Sequence, residues 1–196
     1  MENQARMLSV VPDWASTYHV REAKLDDVVA MASVTRSSWL KAFQSFLPDP
    51  VLKQGTQQHF EQLWRTILLN APEEEAIIIE DEGEVVACGA CGMYRFDYNP
   101  PLGDIIKPNA GELYRGYVTP VYQGYGLGRS LLARRLAMLA ARGCSDVYTW
   151  VYEDNSSARG FFEHLGASII GIRHGKTMGS HWFREVCYRV KIDKPA

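Results

Sequence analysis

Residues 117–129 constrain the fold of this chain more than any other segment, and they read Tyr-Val-Thr-Pro-Val-Tyr-Gln-Gly-Tyr-Gly-Leu-Gly-Arg. Aromatic and β-branched residues precede the glycines, and leucines at helical spacing follow them, which predicts a strand, a tight turn and a helix. The first N–H groups of a helix lack an intrahelical acceptor, and the helix dipole adds partial positive charge there. Glycine lets this backbone approach a ligand closely. The segment therefore predicts a binding site for phosphate oxygens.

Two common phosphate-binding motifs do not fit this chain. The dinucleotide fingerprint G-x-G-x-x-G would require a glycine where the chain has Arg129. The motif G-x-x-x-x-G-K-[ST] is approached only at residues 171–177, but that run is one residue short and lies between two strand-like segments. We therefore interpret the end of that run as part of a polar loop.

The spacing Gln123-x-x-Gly126-x-Gly128 instead resembles the acyl-CoA signature of the GNAT family of N-acetyltransferases. A second segment is similar to that family's second motif, because a strand-like run ends at Asn155 and a short helix follows with the run Phe-Phe-Glu-His-Leu-Gly. The two motifs occur in the family's order, and the resemblance covers residues 18–191.

The resemblance implies an α/β (mixed α+β) fold of the GNAT type, with a mixed twisted sheet of about seven strands flanked by about four helices. Strands are predicted over 18–22, 76–80, 85–94, 112–119, 147–152, 167–173 and 183–190. Helices are predicted after Asp27, around 60–68, over 126–142 and over 155–165. Residues 95–111 are expected to form a loop that includes Pro100, Pro101 and Pro108.

Length predicts one domain, and the resemblance implies that residues 17–196 form an N-acetyltransferase domain. Residues 1–16 show no clear periodicity and are expected to be a flexible tail. A net charge of −2 gives no general attraction to nucleic acid or to an anionic membrane, and no segment has the length of a membrane-spanning helix. No secretory signal is evident, and the scattered cysteines predict structural thiols in a cytoplasmic protein. Cys88 and Cys91 are three apart in a predicted strand, so they should face opposite sides, and no second pair completes a metal site.

The resemblance also implies acetyl-CoA as co-substrate, no metal, and a set of cofactor contacts. Main-chain groups of Tyr117 and Val118 would hold the pantetheine arm where this strand and the one before Asn155 splay apart. Asn155 would cap the next helix, contact the cofactor, or do both. The remaining cofactor positions are Gln123, Gly124, Tyr125, Gly126, Leu127, Gly128, Arg129 and Phe162. Arg134 and Arg135 are expected to cluster with Arg129 near the phosphates.

Acetyl transfer requires a neutral amine, and an amine of lysine type with a pKa of ~10.4 is mostly protonated at pH 7. Glu112 is the first candidate for the general base, because alternation places it on one face with Tyr114 and Val118. The alternative is a solvent-facing carboxylate at the end of a strand. Tyr114 is a candidate to relay a proton through water, or it is a packed aromatic side chain.

Phe162 departs from the family pattern, which has a tyrosine there whose hydroxyl is a proposed acid for the departing thiolate. Phenylalanine has no proton to give, and Phe162 lies in a helical stripe with Phe161 that is explained by packing alone. Tyr152 and Ser157 are alternative donors. The departure keeps open a non-catalytic acyl-CoA-binding sensor or partner module with the same fold.

The predicted function is an acetyl-CoA-dependent N-acetyltransferase that acts on a primary amine of a small molecule or peptide by direct transfer in a ternary complex. The family resemblance makes a homodimer a further prediction. His174 and His181 flank a predicted loop that is either a solvated connection or a lid over the acceptor. Trp39 and Phe43 lie either on the opposite rim of the acceptor site or in the core.

Overall fold

The computed structural model describes residues 18–71, 73–96, 105–178 and 181–192. The predicted tail, 1–16, and the middle of the predicted loop, 97–104, lie outside the described residues. The strands are β1 Tyr18–Glu22, β2 Glu74–Asp81, β3 Glu84–Met93, β4 Gly111–Val118, β5 Asp146–Tyr152, β6 Ser168–Met178 and β7 His181–Lys191. The helices are α1 Val28–Phe43, α2 Asp49–Leu52, α3 Gln57–Leu69, α4 Leu127–Ala141 and α5 Ser156–His164, with 3₁₀ turns at Leu25–Asp27 and Pro120–Tyr122.

The mixed α/β fold and the seven strands confirm the prediction, while the described chain has five helices where about four were expected. The additional helix, α2, was not predicted, and it begins directly after Pro48. Pro50 lies in its first turn, where the missing N–H would have no intrahelical acceptor in any case. None of the described helices is long and apolar enough to cross a bilayer.

The seven strands form one sheet in the order β1-β2-β3-β4-β5-β7-β6. All neighbouring strands run antiparallel except β4 and β5, which are parallel and joined through α4. The parallel pairing comprises only Gly111 with Val147 and Glu112 with Tyr148. Beyond these pairs the two strands diverge, as the family resemblance implied.

The two faces of the sheet are covered by different helices. On the side that we call the α1 face, α1 and α3 pack over Ile78 and Cys88. The helix predicted around 60–68 is confirmed as α3, and its apolar stripe faces the sheet: Trp64 is fully buried and its indole Nε1 donates to Thr35 Oγ1 at 2.8 Å. On the opposite side, the α4 face, α4 packs over strand residues that include Ile77.

A β-bulge interrupts the side-chain alternation of β4. Ala90 and Cys91 of β3 pair with Arg115 and Leu113, so Tyr114 is an extra residue with no partner opposite it. A bulge of this kind changes which face the following side chains occupy. Leu113 and Val118 consequently both pack on the α4 face, although they are five positions apart. The prediction that Glu112, Tyr114 and Val118 share one face is therefore wrong for Val118.

The prediction of a loop between the last two strands is also wrong, because most of that segment belongs to the strands themselves. β6 continues to Met178, β7 starts at His181, and His174 pairs with Arg184. β6 is an edge strand, and edge strands accommodate exposed polar side chains such as His174. The polar composition that indicated a loop is instead typical of an edge.

All four cysteines are buried and none forms a disulfide. Cys88 packs on the α1 face and Cys91 on the α4 face, as the alternation of β3 predicted. Burial raises the pKa of Cys88 to about 12 and that of Cys91 to about 11. Burial likewise raises the pKa of Cys187 to about 12. The thiolate is the reactive form, so these thiols are protected both by access and by protonation.

We therefore expect the native thiols to react with Ellman's reagent at pH 8 at least about 100-fold more slowly than in denaturant. The measurement compares the reaction rates of the native and the urea-unfolded protein. One thiol that reacts in the native protein at the rate of free cysteine would contradict the assignment. The result also decides whether this reagent is safe for following thiol release by the native protein.

Candidate functional site

The divergence of β4 and β5 opens a gap at the centre of the sheet. At its narrow end, the Thr149 side chain crosses from β5 and its Oγ1 donates to the Leu113 carbonyl at 3.1 Å. Beyond that contact, the facing edges of the two strands are not paired with each other. Backbone N–H and C=O groups are strong hydrogen-bonding groups, so the gap suits an extended ligand that carries amide groups of its own.

Backbone polarity distinguishes the two β4 residues that were predicted to contact pantetheine. Thr119 N donates to the Val86 carbonyl at 2.9 Å, so Thr119 and Val86 form a hydrogen-bonded pair of the β3–β4 ladder. Hydrogen-bonded and non-hydrogen-bonded pairs alternate along an antiparallel ladder, so the N–H and C=O of Val118 are directed away from β3. Tyr117 is in the next hydrogen-bonded position, opposite Cys88, so its backbone groups are directed to β3. Val118 is therefore the better placed of the two for a main-chain contact in the gap.

The glycine turn follows β4 and opens α4. Gly124 has a φ of 90° and Gly126, the N-cap of α4, has a φ of 84°, a region that favours glycine. Within the described chain, no backbone–backbone hydrogen bond uses an N–H of residues 124–128 as its donor. Leu127 is 1% exposed and anchors the start of α4 in the core. The turn thus holds a row of backbone donors at a helix N-terminus, the arrangement that binds phosphate.

Side chains around the turn also support its shape. Gln123 Nε2 donates to the Val118 carbonyl at 3.0 Å, and Ser38 Oγ of α1 donates to the same oxygen at 2.5 Å. These contacts close the turn against β4 and tie it to α1. The side chain of Tyr125 is 61% exposed, so it extends into solvent beside the turn.

The expected cluster of three arginines is wrong for Arg135. Arg129 is half-buried and Arg134 is exposed, but Arg135 is only 5% exposed and lies under the sheet. Arg135 follows Leu131 by four positions, which places it on the inward stripe of α4. Of the three, Arg129 lies in the first turn of α4, next to the glycine turn.

Asn155 caps α5, as one of its two interpretations predicted. Its Oδ1 accepts from the Ala158 N–H at 3.1 Å. The cap uses the carbonyl oxygen of the amide and leaves the NH₂ group for a cofactor contact, which stays a prediction. Within the described residues, no group of three or more His, Cys, Asp or Glu side chains is arranged to hold a metal ion.

Glu112 is buried at the narrow end of the gap, on the α1 face. Its Oε1 accepts from Arg95 Nη2 at 2.8 Å, and its Oε2 accepts from the Arg95 backbone N–H at 3.1 Å and from Nε at 3.2 Å. The side chain is 3% exposed, so the alternative of a solvent-facing carboxylate is wrong. Burial lowers the pKa of Arg95, but the bonds to Glu112 more than offset this effect and raise it.

Tyr114 lies beneath the same guanidinium. Arg95 Cζ is 3.8 Å from the centre of the Tyr114 ring, an arrangement that favours a cation–π contact. The Tyr114 hydroxyl donates to the Met93 carbonyl at 2.7 Å, and burial raises its pKa. This geometry supports the packed aromatic more than the proton relay.

A second buried carboxylate was missed by the sequence analysis. Glu185 of β7 is 4% exposed, and its Oε2 accepts from Arg173 Nε at 2.7 Å. The Arg173 guanidinium lies 4.1 Å from the centre of the Trp150 ring. Alternation along β7 placed Glu185 on one face between Phe183 and Cys187, two residue types that are usually buried, which was the available signal.

Phe162 packs where the family pattern expects a tyrosine. Its ring stacks on Tyr188 with centroids 5.7 Å apart, and the Tyr188 hydroxyl donates to Glu163 at 2.5 Å. Of the alternative donors, Ser157 is exposed on α5, whereas the Tyr152 ring lies 5.4 Å from Phe43 and burial raises its pKa.

The aromatic residues of α1 belong to the core. Trp39 and Phe43 are each 6% exposed and stack with centroids 5.3 Å apart. A Cβ on Gly55 would lie 2.5 Å from the Trp39 ring, so glycine at that position makes room for the indole. The core interpretation of these two side chains is therefore confirmed.

Comparison with known proteins gives a consistent result. The chain matches the acetyltransferase (GNAT) family over residues 36–167. It is 31% identical over 139 residues to the uncharacterised N-acetyltransferase YuaI of Bacillus subtilis (strain 168), which covers 70% of this chain and 73% of that protein. It is 44% identical over 150 residues to a mycothiol acetyltransferase of Saccharopolyspora erythraea, covering 72% of this chain and 47% of that protein. The chain thus spans less than half the length of the mycothiol acetyltransferases that it matches.

Solved structures share the fold at low sequence identity. The PaiA N-acetyltransferase of Thermoplasma acidophilum, solved with coenzyme A, is 14% identical and has a TM-score of 0.70, covering 89% of this chain and 99% of that chain. YncA of Salmonella typhimurium, solved with its cofactor acetyl-CoA, is 18% identical with a TM-score of 0.61, covering 92% and 96% respectively. The family match spans more than half of the chain and includes the glycine turn, the diverging strands and the capped helix. This chain belongs to the GNAT family of acetyltransferases.

Proposed function

We propose that this protein transfers an acetyl group from acetyl-CoA to a primary amine of a small molecule or peptide, by direct transfer in a ternary complex. The observation that carries the proposal is the gap between β4 and β5. Backbone donors of residues 124–128 lie at its wide end, and the buried carboxylate of Glu112 lies at its narrow end. A phosphate-bearing thioester and an amine can therefore approach the centre of the sheet from different sides.

The residues present fit acetyl-CoA. The N–H groups of Gly124 to Gly128 would hold the pyrophosphate, with Gln123 closing the turn and Arg129 adding charge. The Val118 N–H would bond the pantetheine arm, with Tyr117 beside it in the strand. Asn155 and Phe162 would line the β5 side of the gap. Bound acetyl-CoA supplies the acyl group, and the chain orients it.

In this proposal the acceptor amine binds and reacts on the α1 face of the sheet. Glu112 is the proposed base and would take the amine proton directly or through a water molecule. A backbone N–H in the gap would polarise the thioester carbonyl as negative charge develops on it. Because Phe162 has no proton, the departing thiolate would take one from water, which a leaving group with a pKa near ~8.5 permits.

A non-catalytic acyl-CoA-binding module is the second candidate, and Phe162 is the observation that favours it. The first experiment supplies acetyl-CoA and a panel of small-molecule and peptide amines, and measures free coenzyme A together with acetylated product. Product formation with any amine supports the enzyme. Tight binding of acetyl-CoA without turnover across the panel supports the module. A homodimer and a cytoplasmic location stay predictions.

Substitution of Gly126 by Ala should weaken coenzyme A binding about 10-fold or more, because a Cβ intrudes between the turn and the phosphates. Gly143→Ala is the matched control, since Gly143 has a φ of 82° at the other end of α4 and Gly126 has a φ of 84°. Both variants carry similar backbone strain, so only the first should lose affinity in calorimetry. Equal affinity in the two variants would contradict the assignment of the turn.

Substitution of Glu112 by Gln should lower kcat/KM roughly 100-fold or more and remove the acidic limb of the pH–rate profile, as expected for a lost general base. Arg95→Met is the matched control, because it removes the guanidinium from the same ion pair and leaves the carboxylate in place. If both variants lose activity equally with the same pH profile, the role of Glu112 is to hold the ion pair.

Substitution of Phe162 by Tyr should raise kcat and introduce an alkaline limb in the pH–rate profile, because it adds a proton donor where the chain has none. Phe161→Tyr makes the same chemical change one position away and serves as the control. Steady-state kinetics over pH 6 to 10 is the measurement. A large loss of kcat in Phe162→Tyr with unchanged coenzyme A binding would show that the Phe162 ring shapes the pocket.

A further inference from the structure

Arg135 of α4 is a buried guanidinium held by main-chain carbonyls. It is 5% exposed, and its bonds within the described chain go to backbone oxygens, with no carboxylate among their acceptors. Burial lowers the pKa of Arg135 to about 10, so the side chain still carries its charge at neutral pH. Burying a charge without an ionic partner costs free energy, so we expect the Arg135 guanidinium to have a role that offsets this cost.

Two of the three carbonyl acceptors of Arg135 lie beside the bulge of β4, and the third lies in its own helix. Its Nη1 donates to the Arg115 carbonyl at 2.5 Å and is 3.5 Å from the Ala90 carbonyl, and its Nε donates to the Leu131 carbonyl at 3.1 Å. Ala90 and Arg115 are the residue pair next to the unpaired Tyr114. A bulge interrupts the ladder of hydrogen bonds between strands. Arg135 supplies donors at that interruption.

Two glycines make the space that this guanidinium occupies. A Cβ on Gly89 of β3 would lie 3.1 Å from Arg135 Cζ and Nε, and a Cβ on Gly116 of β4 would lie 2.9 Å from Nη2. Larger residues at either position would displace the guanidinium or the strand. The buried arginine and the two glycines therefore form one arrangement, built around the bulge.

We propose that Arg135 is a positioning residue for acetyl transfer, which holds the β4 bulge so that Glu112 keeps its place at the narrow end of the gap. The bulge separates β4 into two halves with different alternation. If it moved by one residue, side chains in the intervening stretch would exchange faces. The proposal rests on the proposed function, since it assigns Arg135 a part in that reaction.

The first test is Arg135→Met, which keeps an unbranched side chain and removes every donor. We expect kcat to fall about 100-fold, the scale for reacting groups misplaced by about 1 Å. The Kd for coenzyme A should stay within about threefold, because Leu127 anchors the glycine turn independently. Arg65→Met, at an exposed position of α3 away from the gap, should leave both quantities within about twofold.

The conservative variant Arg135→Lys keeps one charged donor, so kcat should recover to between the Met variant and the wild type. If Arg135→Met does not fold, Arg135→Lys still tests the proposal. A lysine variant with the kcat of the wild type would show that the several hydrogen bonds of the guanidinium are not required, and would overturn the proposal. A second readout needs no acetyl-CoA. Hydrogen exchange of the β4 amides in the unliganded protein should accelerate in the Arg135 variants and stay unchanged in Arg65→Met.

Failure of this proposal is distinguishable from failure of the proposed function. If the wild type turns over no amine in the panel, the proposed function fails, while β4 hydrogen exchange still tests whether Arg135 holds the bulge. The proposal is overturned if folded Arg135→Met keeps kcat within twofold of the wild type, if kcat and coenzyme A affinity fall equally, or if β4 exchange is unchanged.

Discussion

The early end of the pairing between β4 and β5 is the constraint on which the candidate site depends. Two residue pairs join the strands, and the Tyr114 bulge then bends β4 away from regular alternation. The facing strand edges are left with backbone groups that a ligand can satisfy. Most sheets hide such groups by adding a neighbouring strand, and here the gap lies in the middle of the sheet.

The bulge also explains how one strand serves two sides of the sheet. Before it, Glu112 lies on the α1 face with a guanidinium from Arg95. After it, Val118 packs on the α4 face and leads directly into the glycine turn. The strand thereby links a buried carboxylate to a row of helix-end donors. The carboxylate and the donors are kept apart by the length of β4 between Glu112 and Val118.

Guanidinium–carboxylate pairs beside aromatic rings lie on the α1 face. Arg95 pairs with Glu112 over Tyr114, and Arg173 pairs with Glu185 near Trp150. Buried ion pairs are weak contributors to stability, because desolvation offsets much of the attraction. Their placement on both sides of the gap is therefore more informative about the site than about the stability of the fold.

Local sequence determined the glycine turn, the Asn155 cap and the apolar stripe of α3, because each depends on residues within a few positions of one another. Sequence patterns gave wrong predictions where the position of a residue depends on a partner far away in the chain. His174 is in an edge strand because β7 pairs with it, Arg135 is buried because glycines of two other strands leave room, and Val118 changes face because Tyr114 has no partner in β3. Backbone conformation and capping are short-range effects, whereas register, bulges and buried ion pairs are set by the packing of strands that are far apart in the chain.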